Sequence, residues 1–541
     1  MKRALGLVGL ALLVACGGAP PPESAPPLAP PPAPVATSEA PRVTPDAPFR
    51  QQPPAPDGQV QFTAPKVSEA KLKNGLRVLV VERHDLPIVS VRLVVSVGAG
   101  DVPDARPGVM SFLGSMLEQG TKKRSALQLS DDFEAIGAHH GAWVDWDSAG
   151  VSLRVLSERL DAGLELMADV ALAPSFPEAE IERLRTRRVT AIQAERSSPG
   201  SIASNTVAAA LFGRAHPYGH SLTGQEADAK KLTRAEIVRA YERLFTPKNA
   251  AIVVAGDVTQ ASIVPKLEAA FGGWKAKPGA VARKPPKAPA KAATDKRVVF
   301  VDRPGAQSQV QIIRPGVPHS VKDREAFVIA NAILGGMFSS RVNMNLREKN
   351  AYTYGARSYF AMRHGAGPFL VAAAVFADKT GPAIKEALSE LDGLRRDGPT
   401  AEELSLAKES IRLAMPGRFE GVADVGGAIS DLFVHDMPID DYEKRAARIE
   451  AVTADDVKRV ALEYFGSDAM TIVVVGDKAT VLPQIDALGF GAIDERDAYG
   501  NPLAAAGAEG KTAAKPAPAK PAAPAAAAPA KPAAAPTTTT K

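Results

Sequence analysis

The pattern of apolar and polar positions along the chain repeats once at a fixed distance. Thr233 to Asp257 has the periodicity of a helix with one apolar face, followed by a turn and an apolar run that ends in Gly-Asp. Thr453 to Asp477 repeats this pattern at an offset of 220 residues (453 minus 233). The same offset carries Arg77 onto Arg297. The sequence therefore predicts two homologous halves.

Each half begins with a β-rich segment and continues with amphipathic stretches long enough for helices. These stretches are 159–173 and 178–195 in the first half, and 324–334 and 384–395 in the second. Strands mixed with long helices are typical of the α+β class. We predict two halves, each a mostly antiparallel sheet with helices packed on one face.

Low-complexity segments rich in Pro, Ala and Lys flank and join the two halves, and such segments cannot bury a core. The net charge of +5 is small for 541 residues, and no basic face with interleaved aromatics predicts nucleic-acid binding. The predicted organisation is a signal segment at 1–16, a Pro-rich tether at 17–60, a first domain at 61–278, a linker at 279–295, a second domain at 296–490, and a disordered tail at 491–541.

The first residues have the pattern of an export signal. Lys2 and Arg3 precede an apolar run at 4–15, which is too short to span a bilayer. The run ends at Cys16, the chain's single cysteine, in a Leu-Val-Ala-Cys sequence that resembles the bacterial lipobox. The resemblance implies lipidation of Cys16 and anchoring in the cell envelope. Because Gly17 follows rather than Asp, we expect the periplasmic face of the outer membrane.

Several motifs resemble the M16 metallopeptidase family, whose members are pitrilysin-like or mitochondrial-processing-peptidase-like. The first half contains Asn-Gly-Leu at 74–76, His-Pro-Tyr-Gly at 216–219 and Val-Ala-Gly-Asp at 254–257. The second half contains GGMFSSRVNMNLREKNAYTY at 335–354. The resemblance implies two M16-type halves with the fold of the LuxS/MPP-like metallohydrolases.

In active members of that family, an H-x-x-E-H helix and a distal Glu hold zinc and activate water. The corresponding helix here reads GVMSFLGSMLEQGT, with Ser111 and Ser115 at the histidine positions and Gly114 at the glutamate position. Ala191 stands at the distal ligand. Serine hydroxyls, glycine and alanine provide neither ligands nor a base, so this chain is expected to bind no zinc of its own.

The second half keeps two residues that the resemblance makes functional. Family members use an Arg and a Tyr seven residues apart to bind the substrate backbone and stabilise the oxyanion. Arg347 and Tyr354 stand at those positions. A guanidinium and a phenol are suitable donors to developing negative charge. The alternative is that Arg347 pairs with a nearby acid and that Tyr354 packs at the start of a strand.

Two other pairs of histidines are candidates for a rebuilt metal site. His216 and His220 have helical spacing, but the Pro and Gly residues between them predict a loop. His139 and His140 lie near Asp145 and Asp147, yet neighbours on a strand point to opposite faces. The default interpretation of these histidines is as surface or loop residues.

The sequence leaves three classes of function open. The first is a non-catalytic subunit of a two-chain peptidase, in which an H-x-x-E-H partner holds the zinc and the pair encloses unfolded peptides. The second is a peptide-binding or scaffold lipoprotein without a catalytic partner. The third is a serine enzyme, because Ser-Glu-Ala-Lys at 68–71 and Lys-Thr-Gly at 379–381 mimic penicillin-recognising enzymes. Ser68 precedes a predicted strand rather than opening a buried helix, which argues against the third.

Overall fold

The computed structural model describes residues 62–102, 105–276, 283, 286 and 297–503. The predicted signal segment with Cys16, the tether at 17–60, nearly all of the linker at 279–295 and the chain beyond residue 503 lie outside the described residues. Within the described part, no helix combines the length and the apolar character needed to cross a bilayer.

Each half contains one six-stranded sheet, and most neighbouring strands are antiparallel. The strands are β1 (Ser68–Lys71), β2 (Arg77–Glu82), β3 (Ile88–Val95), β4 (His139–Val144), β5 (Ala149–Leu156), β6 (Ala250–Gly256), β7 (Arg297–Asp302), β8 (Gln307–Pro315), β9 (Thr353–Phe360), β10 (Pro368–Phe376), β11 (Thr471–Gly476) and β12 (Ile493–Glu495). The orders are β1-β2-β6-β3-β5-β4 and β12-β7-β11-β8-β10-β9. The parallel pairs are β2 with β6, and β7 with both of its neighbours. The predicted α+β class is confirmed.

The strand register reproduces the duplication read from the sequence. In the first sheet Arg77 of β2 is the parallel partner of Ala251 in β6. In the second sheet Arg297 of β7 is the parallel partner of Thr471 in β11. Each residue of the second pair lies 220 positions after its equivalent in the first pair (297 minus 77, and 471 minus 251). The two halves therefore share their central pairing as well as their sequence pattern.

Equivalent helices precede the equivalent central strands. Thr233 and Thr453 cap these helices with matching capping boxes, each stabilising its helix by about 1 kcal/mol. The helices of the first half are α1 (Val109–Met116), α2 (Ala126–Ala135), α3 (Leu160–Leu172), α4 (Glu178–Glu195), α5 (Pro199–Phe212), α6 (Glu226–Lys231), α7 (Arg234–Leu244) and α8 (Gln260–Phe271). Those of the second are α9 (Arg324–Asn331), α10 (Arg341–Asn343), α11 (Thr380–Asp397), α12 (Ala401–Ala414), α13 (Val422–Val434), α14 (Asp441–Ala451), α15 (Ala454–Tyr464) and α16 (Lys478–Asp486).

The main helical layer covers one face of each sheet, as predicted. In the first half Phe112 of α1, Leu164 of α3 and Ile237 of α7 are buried in one core with Val91 and Ile252 of the sheet. The second half has an equivalent core. Fully burying a side chain of this size contributes roughly 1.5–3 kcal/mol, so each half has a substantial core of its own.

The opposite face of each sheet is covered by a helix from the other half. Ile429 of α13 packs against Val94 and Val253 of the first sheet. Val207 of α5 packs against Ile313 of the second sheet. This exchange explains why the central strands are continuous apolar runs, because both of their faces are buried. The sequence predicted helices on one face only and did not indicate the exchanged helices.

The folded second half extends further than predicted. Strand β12 pairs with β7 in parallel, so the boundary at residue 490 is too early and the predicted tail at 491–541 begins inside the fold. The following residues contact the first half, where the Tyr499 hydroxyl donates to Glu226 at 3.1 Å and the Arg196 guanidinium lies 4.9 Å from the Tyr499 ring. Strand β12 was not predicted, because a strand of three residues has too few positions to show a period.

Candidate functional site

Helix α1 carries the positions that correspond to the metal-binding motif. It begins after Gly108, whose φ of 86° is a left-handed conformation that favours glycine. Phe112 and Leu113 point into the core of the first half. Ser111, which is half-buried, and Ser115, which is exposed, lie on the helix face directed toward α4.

A guanidinium bridges the two serines. Arg188 of α4 donates from one Nη to Ser111 Oγ at 2.8 Å and from the other to Ser115 Oγ at 3.4 Å. It also donates to the carbonyl of Thr223 at 3.4 Å and lies 5.4 Å from the Phe112 ring. Burial lowers the pKa of Arg188, and the charge of Glu195 opposes that shift. An organic cation thus occupies the space between the two positions where the motif has histidines.

The serine hydroxyls are satisfied inside the protein. Ser111 Oγ donates to the Gly108 carbonyl at 3.1 Å, and Ser115 Oγ donates to the Ser111 carbonyl at 3.1 Å. Each hydroxyl therefore donates its proton to the helix backbone and accepts from Arg188. This is a complete local hydrogen-bond arrangement, which needs no further ligand.

Close packing at Gly114 excludes a side chain at the glutamate position. A Cβ built on Gly114 lies 2.9 Å from Val144 Cγ2 and 3.4 Å from the backbone carbon of Trp143. Helix α1 thus approaches β4 so closely that a larger residue here would force Val144 to shift. Ala191, at the distal ligand position, is exposed on α4 and lies three residues beyond Arg188. Neither position contributes a polar side chain to the site.

The other histidines are used in separate structural contacts. His216 and His220 lie in the loop between α5 and α6, as predicted, and each bonds to a nearby backbone group. On β4, His140 binds the carboxylate of Glu118 and stacks on the Phe133 ring at 3.9 Å, whereas His139 is exposed.

The serine-enzyme alternative is not supported by the fold. Ser68 is the first residue of strand β1, and its hydroxyl donates to the Val80 carbonyl at 3.2 Å. Lys379 instead precedes the start of α11 in the second half, beside Asp378 at 3.2 Å. Because Ser68 does not open a buried helix, the two sequence elements do not form the arrangement that they mimic.

Arg347 and Tyr354 lie in successive elements of the second half and are accessible. Arg347 belongs to a π-helical segment at Met344–Lys349, and Tyr354 is the second residue of edge strand β9. Tyr354 is 79% exposed, and its ring lies 6.1 Å from that of Phe376. The alternative, in which Arg347 pairs with a nearby acid and Tyr354 packs at the start of a strand, therefore stays open. Arg347 lies 3.3 Å from Glu348 and 4.7 Å from the Phe338 ring. Among the described residues, no hydrogen bond, ion pair or ring contact joins Arg347 or Tyr354 to α1 or α4.

Two glycines near this pair are structural. Gly335 and Gly336 end a π-helical segment at Ala332–Gly336. A Cβ on Gly335 would lie 2.4 Å from the backbone nitrogen of Ser358 in β9. Gly335 is therefore required for close packing of the helix on the strand.

Sequence reasoning missed Arg188. Leu184, Arg188 and Ala191 follow one another on α4 at spacings of four and three residues. Those spacings place all three side chains on one face of α4. The helical periodicity was therefore an available signal, but only the fold shows that this face meets Ser111 and Ser115.

Two family models match the chain, and together they cover more than half of its length. The model described as Insulinase (Peptidase family M16) matches residues 77–226. The model described as Peptidase M16 inactive domain matches residues 231–411. The chain belongs to the M16 peptidase family.

Curated relatives and solved structures extend this likeness to most of the folded part. An uncharacterized zinc protease of Streptomyces coelicolor is 26% identical over 408 residues, which are 74% of this chain and 87% of the relative. One of Mycobacterium tuberculosis is 27% identical over 395 residues, 72% of this chain and 89% of the relative. The crystal structure of a peptidase M16 inactive domain from Pseudomonas fluorescens is 25% identical with a TM-score of 0.71 and covers 77% of this chain and 100% of that one. A protease structure from Helicobacter pylori, 21% identical with a TM-score of 0.71 and the same coverage, supports the fold alone.

The residues at the motif positions of α1 and α4 do not fit the zinc that the relatives' names imply. Zinc needs imidazole, thiolate or carboxylate ligands. Ser111, Ser115 and Ala191 provide none, and the Arg188 guanidinium fills the space between the two serines. A second cation beside this guanidinium would also be repelled electrostatically.

Proposed function

We propose that this chain is a non-catalytic subunit of a two-chain M16-type peptidase. The main support is the Arg188 guanidinium bound to Ser111 and Ser115, because it fills the site where zinc chemistry would occur. The partner is an M16 chain that carries H-x-x-E-H and holds the zinc. The substrate is an unfolded peptide enclosed by the two chains.

In this pair, Arg347 and Tyr354 act on the partner's site. Their exposure supports this role, because neither side chain is committed to a buried contact in its own chain. The guanidinium and the phenol would donate hydrogen bonds to the peptide backbone and to the oxyanion that forms when water attacks the scissile carbonyl. The guanidinium and the phenol can donate these hydrogen bonds without a metal bound to this chain.

The surroundings of Arg347 support contact with another molecule. Phe338, Met344 and Phe376 are 63%, 42% and 38% exposed. Phe338 lies 4.7 Å from the Arg347 guanidinium, and the Phe376 ring is 6.1 Å from that of Tyr354. Large apolar side chains grouped around polar donors are typical of surfaces that bind peptides or partner proteins.

Reconstitution tests the proposal. The purified chain would be mixed with an H-x-x-E-H-bearing M16 chain from the same organism, and cleavage of an unstructured fluorogenic peptide would be measured for each chain alone and for the mixture. We expect a stable complex and cleavage by the mixture far above that of either chain. Cleavage by this chain alone contradicts the proposal. No complex with any such partner would instead favour a scaffold or peptide-binding lipoprotein.

A further inference from the structure

A cluster of histidines and aspartates lies where the two halves meet. The turn between β4 and β5 carries Asp147, and the equivalent turn between β9 and β10 carries His364. The His364 backbone N–H donates to Asp147 Oδ1 at 3.0 Å. His435 directly follows α13, the helix that covers the first sheet. We call Asp101, Asp147, His364 and His435 the junction cluster.

The spacing of these side chains is close to that of metal ligands. One ligand atom each from Asp147, His364 and His435 lie within 4.8 Å of one another. His364 Nδ1 is 3.5 Å from Asp147 Oδ1 and 3.2 Å from Asp101 Oδ2. In a tetrahedral zinc site, bonds of about 2.0–2.1 Å place neighbouring ligand atoms roughly 3.4 Å apart. Only a small inward movement of these side chains would bring their ligand atoms to the spacing of a metal site.

One ring nitrogen in the cluster has no other use. Nδ1 of His435 is buried and has no hydrogen-bond partner among the described residues. The ring is held by stacking on His319, with centroids 3.8 Å apart and planes inclined by 11°. An imidazole nitrogen without a hydrogen-bond partner is a suitable ligand for a transition metal.

The charges of the cluster are incompletely balanced. The side chains of Asp101 and Asp147 are 0% and 11% exposed, and both carboxylates face the single imidazole of His364. A divalent cation would compensate both carboxylates more fully than one imidazolium does. On binding, the Nδ1 proton of His364 would be released to solvent as the metal–nitrogen bond forms.

Three arginines oppose a cation here, and two of them are already paired. Arg283 lies 3.3 Å from His364 Nε2 but also pairs with Asp436. Arg324 lies 3.4 Å from the His319 ring and pairs with Asp441 and Glu325. Arg363 stacks on Trp146 at 4.4 Å, and its charge also interacts with the carboxylate of Asp147. These charges weaken the site but do not occupy it.

A cavity of about 790 Å³ between the halves reaches two members of the cluster. Asp147 and His435 are part of its wall, together with Trp146 and the acidic side chains of Asp145 and Asp431. A cavity of this size holds many waters, so a hydrated ion can reach the ligands without unfolding.

We propose that the junction cluster binds one divalent transition-metal ion of the zinc type through Asp147, His364 and His435, with Asp101 as a fourth ligand. The mixture of imidazole and carboxylate groups favours zinc, cobalt or nickel over magnesium or calcium. Because ligands come from both halves, the ion cross-links them and resists their separation. The site is distinct from the α1 position, and the proposal does not depend on the subunit role.

Titration with Co²⁺ tests the site. The chelator-treated mature chain would be titrated with Co²⁺ alone, following the visible ligand-field absorption, with Zn²⁺ added afterwards as a competitor. We expect one Co²⁺ per chain, displaced by Zn²⁺, and a rise in the unfolding temperature of the metal-bound chain.

Substitutions within the cluster make the test specific. His435→Phe keeps a ring stacked on His319 but removes the ligand, and Asp147→Asn removes a carboxylate charge with little change in shape. Each is expected to weaken Co²⁺ binding about 100-fold or more and to abolish the shift in unfolding temperature. His139→Ala, at an exposed histidine outside the cluster, should bind as the wild type does.

Two results would overturn the proposal. One is the absence of saturable binding by the folded wild-type chain. The other is unchanged binding by folded His435→Phe and Asp147→Asn. Circular dichroism of each variant establishes that it is folded before binding is measured. A metal held near Ser111 would survive both substitutions, so failure here is distinguishable from failure of the subunit proposal.

Discussion

The α1–α4 face of the first half and the β9 edge of the second half differ in how their polar groups are bonded. In the first, Ser111, Ser115 and Arg188 satisfy one another. In the second, Arg347 has only a neighbouring acid and a ring beside it, and Tyr354 is 79% exposed. Groups satisfied internally contribute to folding, whereas exposed donors remain available to another molecule.

The difference changes how the lost motif is understood. A motif emptied by random substitution would leave a cavity or unpaired polar atoms, each costing roughly 1–3 kcal/mol. Instead, Arg188 fills the space, and Gly114 allows α1 to lie against Val144 of β4. The first half is repacked as a structural element, and the candidate donors Arg347 and Tyr354 lie in the second.

The largest effect should come from substitutions at the β9 edge in the reconstituted pair. We expect Arg347→Ala to lower kcat/KM for peptide cleavage about 100-fold or more, because one donor to the oxyanion is lost. Tyr354→Phe should have an effect in the same direction. Arg357→Ala and Tyr359→Phe alter exposed residues of the same strand and serve as matched controls with near-normal rates. Equal losses in the controls would show that the strand, not the pair, matters.

A smaller effect should follow from adding a methyl group to α1. Gly114→Ala should destabilise the fold by about 1–2 kcal/mol, because its Cβ would lie 2.9 Å from Val144 Cγ2. Gly427→Ala in α13 is the matched control, since nothing lies within 4 Å of its added Cβ. That control should be neutral or stabilising by up to about 1 kcal/mol. Denaturant unfolding of both variants measures the difference between them. Destabilisation of Gly427→Ala but not of Gly114→Ala would contradict the packing argument.

Removing one serine hydroxyl should cost less again. Ser111→Ala takes an acceptor from the buried Arg188 guanidinium and should destabilise the protein by about 1 kcal/mol. Ser197→Ala is the matched control. The Ser197 hydroxyl also donates to a carbonyl three residues earlier, at 2.7 Å, but Ser197 is exposed. The control should change the unfolding free energy by less than about 0.5 kcal/mol. If both variants unfold alike, the bond to Arg188 has no structural role.

The smallest effect should be that of the β9 pair on stability. Arg347→Ala and Tyr354→Phe should each change the unfolding free energy by less than about 0.5 kcal/mol, because both side chains are exposed. Thermal unfolding of this chain without a partner provides the measurement. A loss above about 1 kcal/mol would mean that the pair is structural and would weaken its assignment to catalysis.

Most of the fold could be predicted from the local periodicity of the sequence. The offset of 220 residues predicted two homologous halves, and the structure repeats the pairing of Arg77 with Ala251 as that of Arg297 with Thr471, because equivalent sequence patterns form equivalent strands. The exchange of α5 and α13 between the sheets was not predictable in this way. An apolar helix face shows that it must be buried, but not which sheet buries it.

The site was predictable where it depends on sequence position and not where it depends on distant packing. The losses at Ser111, Gly114, Ser115 and Ala191 follow from the motif alone. The junction cluster joins positions as far apart as 147 and 364, with no spacing that marks them. Such contacts between halves become visible only when the fold brings the two turns together.

Zinc content tests most directly whether the first half has lost its metal site. The Asp147→Asn/His435→Phe double variant removes the junction cluster and leaves Ser111, Ser115 and Arg188 unchanged. After exposure to a weak chelator, mass spectrometry of the folded protein should find less than about 0.1 zinc per chain, because no zinc ligands remain at α1. About one zinc per chain in this variant would contradict the account and show that the first half still binds the metal.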